Sequence, residues 1–271
     1  MSGREAAPPV TALLEAEGLA IGHGGRALAR DLSLRLDAGT VTCLLGPNGV
    51  GKTTLFKTLL GLLPPIAGAV RLAGAPLAAL GAGARARVVA YVPQASPSDF
   101  NYAVLDMVVM GRTAHLGAFG APGPRDVAAA AAALATLGIG DLGPRAFNHL
   151  SGGQRQLVLV ARALAQGAPV IVMDEPTASL DLANRLKVLR EARALAARGL
   201  AVLISTHEPE QALALADRVA VLGAGGWFAA GPAPEVLTGA TLSRLYGVPL
   251  TVERAPSGRL VVSPAEGGGG A

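Results

Sequence analysis

The chain has 271 residues, a formal net charge of +4 and a mean hydropathy of +0.45; 51% of its residues are apolar but only 3% aromatic. No uninterrupted apolar run approaches the ~20 residues of a membrane-spanning helix, so the positive hydropathy reflects alanine. One cysteine, Cys43, excludes an intrachain disulfide, and dispersed arginines without interleaved aromatics argue against a nucleic-acid surface.

Residues 1–11 read as a disordered leader without an apolar signal core, so the protein is expected to stay in the cytoplasm. Leu13–Ile21 and Leu32–Leu36 alternate as strands of an antiparallel edge sheet, separated by Gly22-His23-Gly24-Gly25 and a short polar link. Val41–Leu45 is continuously apolar, as a strand covered on both faces must be. A helix is predicted from Gly51 to about Leu63, stopped by Pro64-Pro65. Gly68–Gly74 reads as strand and turn, and Val88–Val92 as a strand ended by Pro93-Gln94.

Residues 95–149 change texture: Val104–Met110 and Val127–Leu137 are helical, joined by Gly/Pro segments. Strands then return at 170–173, 201–205 and 219–222, with helices at 182–198 and 208–216 between them, the alternation of a parallel sheet. Short strands and a small helix close the chain over 227–262, before a glycine tail at 266–271. The expected fold is α/β, one domain, with a core over about 12–94 and 150–263 and an inserted helical subdomain over about 95–149.

The chemistry centres on Gly46-Pro47-Asn48-Gly49-Val50-Gly51-Lys52-Thr53-Thr54, a glycine loop between strand and helix that fits G-x-x-x-x-G-K-[ST]. Glycines let successive N–H groups turn inward, and the helix adds its unpaired N–H groups and positive dipole end. Lys52 would reach the β/γ-phosphates and the Thr53 hydroxyl one Mg²⁺ position. The plainer reading is a flexible glycine turn, but lysine stands at only three positions in the chain.

Asp174 and Glu175 follow the apolar Val170–Met173. Adjacent strand residues face opposite ways, so Asp174 can hold Mg²⁺ through its hydration shell while Glu175 accepts a proton from water. Alone, they would read equally well as surface acids. Ser151-Gly152-Gly153-Gln154 opens a further helix. The serine is an N-cap on the plain reading, yet this is a second glycine-lined helix tip suited to phosphate. Two chains, each lending its tip to the other's nucleotide, reconcile two cradles with one nucleotide per chain.

Taken together these motifs resemble the ATP-binding subunit of ABC transporters across nearly the whole chain. Gly46–Thr54 resembles Walker A, Gln94 the Q-loop glutamine, Leu150–Gln154 the signature, and Val170–Glu175 Walker B with the catalytic glutamate. Ser179-Leu180-Asp181 resembles the D-loop, and His207 falls where the switch histidine is expected. The resemblance implies a head-to-tail homodimer with two ATP molecules, each between Walker A of one chain and Ser151, Gly152, Gly153 and Gln154 of the other. It implies that His207 holds the γ-phosphate and water and that Asp181 communicates across the interface. It also implies that Gln94 links Mg²⁺ and water to two transmembrane permease subunits on the cytoplasmic face of the membrane. His23 stands where the family usually carries an aromatic ring against adenine; imidazole stacks with less area.

Residues 99–117, with Met110-Gly-Arg-Thr-Ala-His115 and Asp181-Leu-Ala-Asn184, resemble the branch importing iron–siderophore, haem, cobalamin and molybdate cargo, and look closest to molybdate/tungstate importers. That resemblance implies a substrate-binding protein as indirect partner. The competing reading is a soluble ABC-type ATPase without a permease, such as a cluster-assembly ATPase. DNA-repair relatives carry long coiled coils, and no sustained heptad run occurs here.

Overall fold

The computed structural model describes residues 12–94, 101–117, 120–178 and 180–265. The leader over 1–11, the glycine tail over 266–271, Asp99, Phe100 and Ser179 lie outside the described residues. β1 (Ala12–His23) and β2 (Arg26–Asp37) form one long hairpin in which His23 pairs with Arg26. The link is therefore shorter than the sequence suggested. Gly24 and Gly25 lie at φ of 56° and 78°, and two positive φ angles in succession match the twist of a two-residue hairpin turn. In β2, Leu32, Leu34 and Leu36 are buried while Ser33 and Arg35 face out. β4 (Ala67–Leu72) and β5 (Ala75–Pro76) complete a four-stranded antiparallel sheet in the order β2-β1-β4-β5.

The central sheet comprises β3 (Val41–Leu45), β6 (Val89–Val92), β7 (Val170–Met173), β8 (Ala201–Thr206), β9 (Arg218–Leu222) and β10 (Phe228–Pro232). Their order is β10-β9-β3-β8-β7-β6, all parallel except β10. Side-chain alternation divides two cores across this sheet. Leu44, Val172, Leu203 and Ala220 pack with the antiparallel sheet and with Leu55, Phe56 and Leu59 of α1 (Lys52–Leu59). Cys43, Ile171, Ile204 and Val219 face the other way, toward α5 (Gly152–Gln166) and α6 (Leu182–Ala197). Covered on both faces, these strands have to be continuously apolar. Burial pushes the Cys43 thiol up to about 12, as expected of a structural cysteine.

The remaining elements are α2 (Ala82–Val88), α3 (Val104–Val109), α4 (Pro124–Thr136), α7 (Pro209–Leu215), α8 (Ala233–Val236), α9 (Gly239–Tyr246) and the hairpin β11 (Leu250–Arg254)–β12 (Leu260–Pro264). No described helix is long and apolar enough to cross a membrane. Two helix details differ from expectation. α1 stops four residues before the predicted end: Gly61 at φ 70° lets the Leu62 N–H reach Lys57 O (2.8 Å) and the Gly61 N–H reach Thr58 O (3.0 Å). That paired bonding is a Schellman cap, which ends the helix before Pro64 is reached. α2 went unforeseen because it buries none of its residues, so its sequence carries no apolar period.

The Met110–His115 run acquires a structural role. Arg112 Nη1 donates to Ala165 O at 2.9 Å, and His115 Nε2 lies 2.7 Å from Gln166 O. Both satisfy terminal carbonyls of α5, where basic groups also suit the negative end of the helix dipole. Arg112 Nε in turn donates to Asp126 Oδ1 (3.1 Å). The Gly123 N–H and the Arg112 guanidinium together hold the Asp126 carboxyl below its ordinary range.

Candidate functional site

The loop after β3 is shaped by backbone demands that only glycine meets. Gly49 and Gly51 sit at φ of 78° and 117°. A Cβ on Gly46 would lie 2.5 Å from Leu222 O, against the backbone at the end of β9. Gly46→Ala is therefore expected to displace the loop and weaken nucleotide affinity; isothermal titration against the parent chain measures it, and an unchanged affinity would show the close approach to be dispensable.

Lys52 opens α1, and its side chain folds back under the loop, 5% exposed. Its ammonium donates to Gly46 O (2.7 Å) and Pro47 O (3.1 Å) and pairs with Glu175 Oε1 (2.9 Å). Three donors meet three acceptors, which is what a buried ammonium requires. Both carboxylates stand at the end of β7. Asp174 Oδ2 accepts from the Thr53 hydroxyl (2.9 Å) and from Tyr91 OH (3.3 Å), while Oδ1 accepts from Ser205 Oγ (2.6 Å). Burial and the Asp174 carboxylate both raise the Tyr91 phenol, which therefore stays protonated as a donor. Glu175 adopts a left-handed φ of 43°, rare for a non-glycine residue, and its N–H is held by Ser205 Oγ at 2.8 Å. Its Oε2 faces Gln94 Nε2 at 3.4 Å and His207 Nδ1 at 3.3 Å.

The sheet order explains this convergence. The glycine loop follows β3, His207 follows β8, the two acids follow β7 and Gln94 follows β6, and these four parallel strands are successive neighbours. Their C-terminal ends together form the rim where ligands of open α/β sheets collect. A cleft of about 400 Å³ opens there, lined by Asn48, Gly49, Gly51, Lys52, Thr53, Thr54, Gln94 and Glu175. The side-chain groups on this rim able to meet a cation, those of Thr53, Gln94, Asp174 and Glu175, all present oxygen. No group of three or more His, Cys, Asp or Glu among the described residues could cage a metal. Such a set fits Mg²⁺, which takes one or two protein oxygens and completes its shell with water and phosphate.

Other candidate residues lie apart. His23 is exposed at the hairpin tip and is not among the residues lining the cleft. Ser151 caps α5: its Oγ accepts from the Gln154 N–H (3.3 Å), and the Gln154 side chain accepts from the Ser151 N–H (3.1 Å). None of residues 151–154 lines the cleft; Gly152 and Gly153 instead face Leu180 and Asn184. Asp181 caps α6, accepting from the Asn184 N–H (2.8 Å) and Asn184 Nδ2 (2.7 Å), bonds that lower its carboxyl pKa.

Three supporting groups carry no linear signal. Ser205 serves both acids from the neighbouring strand. Gln211 on α7 bridges the hydroxyls of Thr177 (3.2 Å) and Thr206 (3.1 Å). Tyr246 donates its hydroxyl to His207 O at 2.7 Å. Tyr91 could have been suspected, standing three residues before Gln94.

Comparison with known proteins agrees with this geometry. The family model described as ABC transporter matches residues 29–178. The hemin import ATP-binding protein HmuV of Streptomyces coelicolor is 40% identical over 259 residues, covering 95% of this chain and 92% of its own length. The molybdate import ATP-binding protein MolC of Haemophilus influenzae is 37% identical over 229 residues, covering 84% and 85%. A solved structure described as an inward-facing metal-chelate type ABC transporter superposes with a TM-score of 0.84 at 34% identity, covering 94% of this chain and 98% of that one. A glycine loop on the rim of a parallel sheet, two acids on the second strand over and this degree of likeness lead to one conclusion: the chain belongs to the ABC transporter family, as an ATP-binding subunit of the ATPase type.

Proposed function

We propose that the chain is the ATP-hydrolysing subunit of an importer, acting as a head-to-tail homodimer on the cytoplasmic face of the membrane beneath two permease subunits. The observation that carries this reading is the meeting of Lys52, Thr53, Asp174, Glu175, Gln94 and His207 at the ends of four adjacent strands. Gly46, Pro47, Asn48, Gly49, Gly51 and Thr54 complete the phosphate loop. Lys52 and the loop N–H groups bind the triphosphate, and Thr53, Asp174 and Gln94 hold Mg²⁺, which supplies charge stabilisation at the phosphates. Glu175 takes a proton from the attacking water, and His207 orients that water and the γ-phosphate.

The tip formed by Ser151, Gly152, Gly153 and Gln154 serves the partner's nucleotide. In support, Ser151 and Gly152 are exposed on their own chain, and the glycines face Leu180 and Asn184 rather than the cleft. Asp181 stands at the same interface, and His23 lies against the adenine. The helical segment carrying α3 and α4 is the arm that meets the permease; an apolar hollow of about 420 Å³ lined by Leu105, Ala131 and Leu134 suits the apolar face of a short coupling helix. The cargo is a metal chelate, haem, cobalamin or molybdate-like oxyanion delivered by a binding protein. The hemin and molybdate relatives differ from this chain to a similar degree, as expected if the ATPase never touches cargo.

Lys52→Ala tests the site: removing charge-assisted bonds should weaken ATP binding about ten- to a hundredfold. Unchanged affinity by titration calorimetry would contradict the cradle. Co-purification of the chain with a membrane protein tests the importer reading; an active ATPase that never does so supports the permease-free alternative.

A further inference from the structure

We propose that the first turn of α6 positions His207 according to the state of the signature tip, with Asn184 and the Arg185–Glu208 pair as its working residues. The proposal rests on the two-chain reading above. Asn184 and Arg185 are adjacent on this turn, and each reaches a different part of the machinery. The Asn184 side chain is held on Asp181 by its Nδ2 (2.7 Å) and lies so close to Gly153 that a Cβ there would collide with it. One residue on, Arg185 Nη1 donates to Glu208 Oε2 at 2.8 Å. Arg185 Nε is buried without a partner, so Glu208 is the group that orients this guanidinium.

Glu208 follows His207 directly, and its N–H is bonded to Thr206 Oγ1 (3.0 Å). With Tyr246 on the His207 carbonyl, the segment around the imidazole is fastened at two backbone groups and at the Glu208 carboxylate. Displacement of Gly153 when the tip engages the twin's triphosphate presses on Asn184, turns the first helical turn and moves Arg185 with Glu208. The imidazole, 3.3 Å from Glu175 Oε2, then changes its approach to the water. Each chain thereby links the site it completes to the site it owns.

A merely structural role for the ion pair is disfavoured by its exposure. Its side chains are 32% and 34% exposed, so solvent partly screens the pair and its contribution to stability is modest. The test compares Asn184→Ala, Glu208→Gln and the double reversal Arg185→Glu/Glu208→Arg with the parent chain in ATP and Mg²⁺, recording kcat, KM and Tm. Each single variant is expected to lose about tenfold in kcat, with KM within about twofold, because the loss is one of orientation and not of ATP binding. Tm should stay at the parent value, and the reversal should recover most of the kcat. Single variants within about twofold of the parent kcat would overturn the proposal. So would a loss that tracks a fall in Tm and is not recovered by reversal. A parent chain indifferent to substitution of Ser151 overturns instead the two-chain reading on which this rests.

Discussion

Glu175→Gln is expected to retain ATP and to slow hydrolysis by about two to four orders of magnitude, the range typical of a lost general base. The amide keeps the shape of the side chain and still offers an oxygen to Lys52, whose ammonium remains bonded to Gly46 O and Pro47 O. What disappears is a group able to take the proton of water. The structure argues for Glu175 over Asp174 in this task. Asp174 is surrounded by the hydroxyls of Thr53, Tyr91 and Ser205, which orient it and stabilise its charge. Glu175 faces the cleft with Gln94 and His207 beside it, set there by an uncommon backbone conformation. In the two-chain scheme the variant should also accumulate an ATP-dependent dimer, visible by size-exclusion chromatography. Turnover near that of the parent would remove Glu175 from its role.

Ser151→Trp is expected to abolish turnover by about a hundredfold or more while leaving each chain's own affinity for ATP intact. The residue is exposed, so the folded chain tolerates the bulk and loses an N-cap, a change of about 1 kcal/mol. The decisive measurement mixes this variant with Lys52→Ala. Neither hydrolyses ATP alone, but a mixed pair holds one site with an intact glycine loop from the first chain and an intact tip from the second. Activity that reappears on mixing supports the shared site. A complete monomeric centre predicts full activity for Ser151→Trp and no recovery.

Much of the site was legible because its chemistry is local in the chain. Gly46–Thr54 encodes its own curvature, and the apolar run before Asp174 places both acids at a strand end whatever its neighbours are. The start of α5 was likewise legible in Ser151 and Gln154, since a capping box spans only four residues. The end of α1 is not legible in the sequence because Gly61 ends the helix through a local cap, ahead of the more conspicuous stop signal of Pro64-Pro65. α2 was missed because a solvent-exposed helix rich in alanine and arginine lacks the period that marks a buried face.

Sequence alone determined the family of chemistry: a lysine in a glycine cradle, paired acids and a second helix tip, each a property of a few consecutive residues. Tertiary structure decided which groups tune them. Ser205 reaches Asp174 and Glu175 from about thirty residues away because β8 lies beside β7. Tyr246 reaches the backbone of His207, and Arg185 reaches Glu208, across comparable gaps. Strand order and helix packing bring these partners together, and both follow from burying two apolar faces at once, a condition satisfied only by the whole chain.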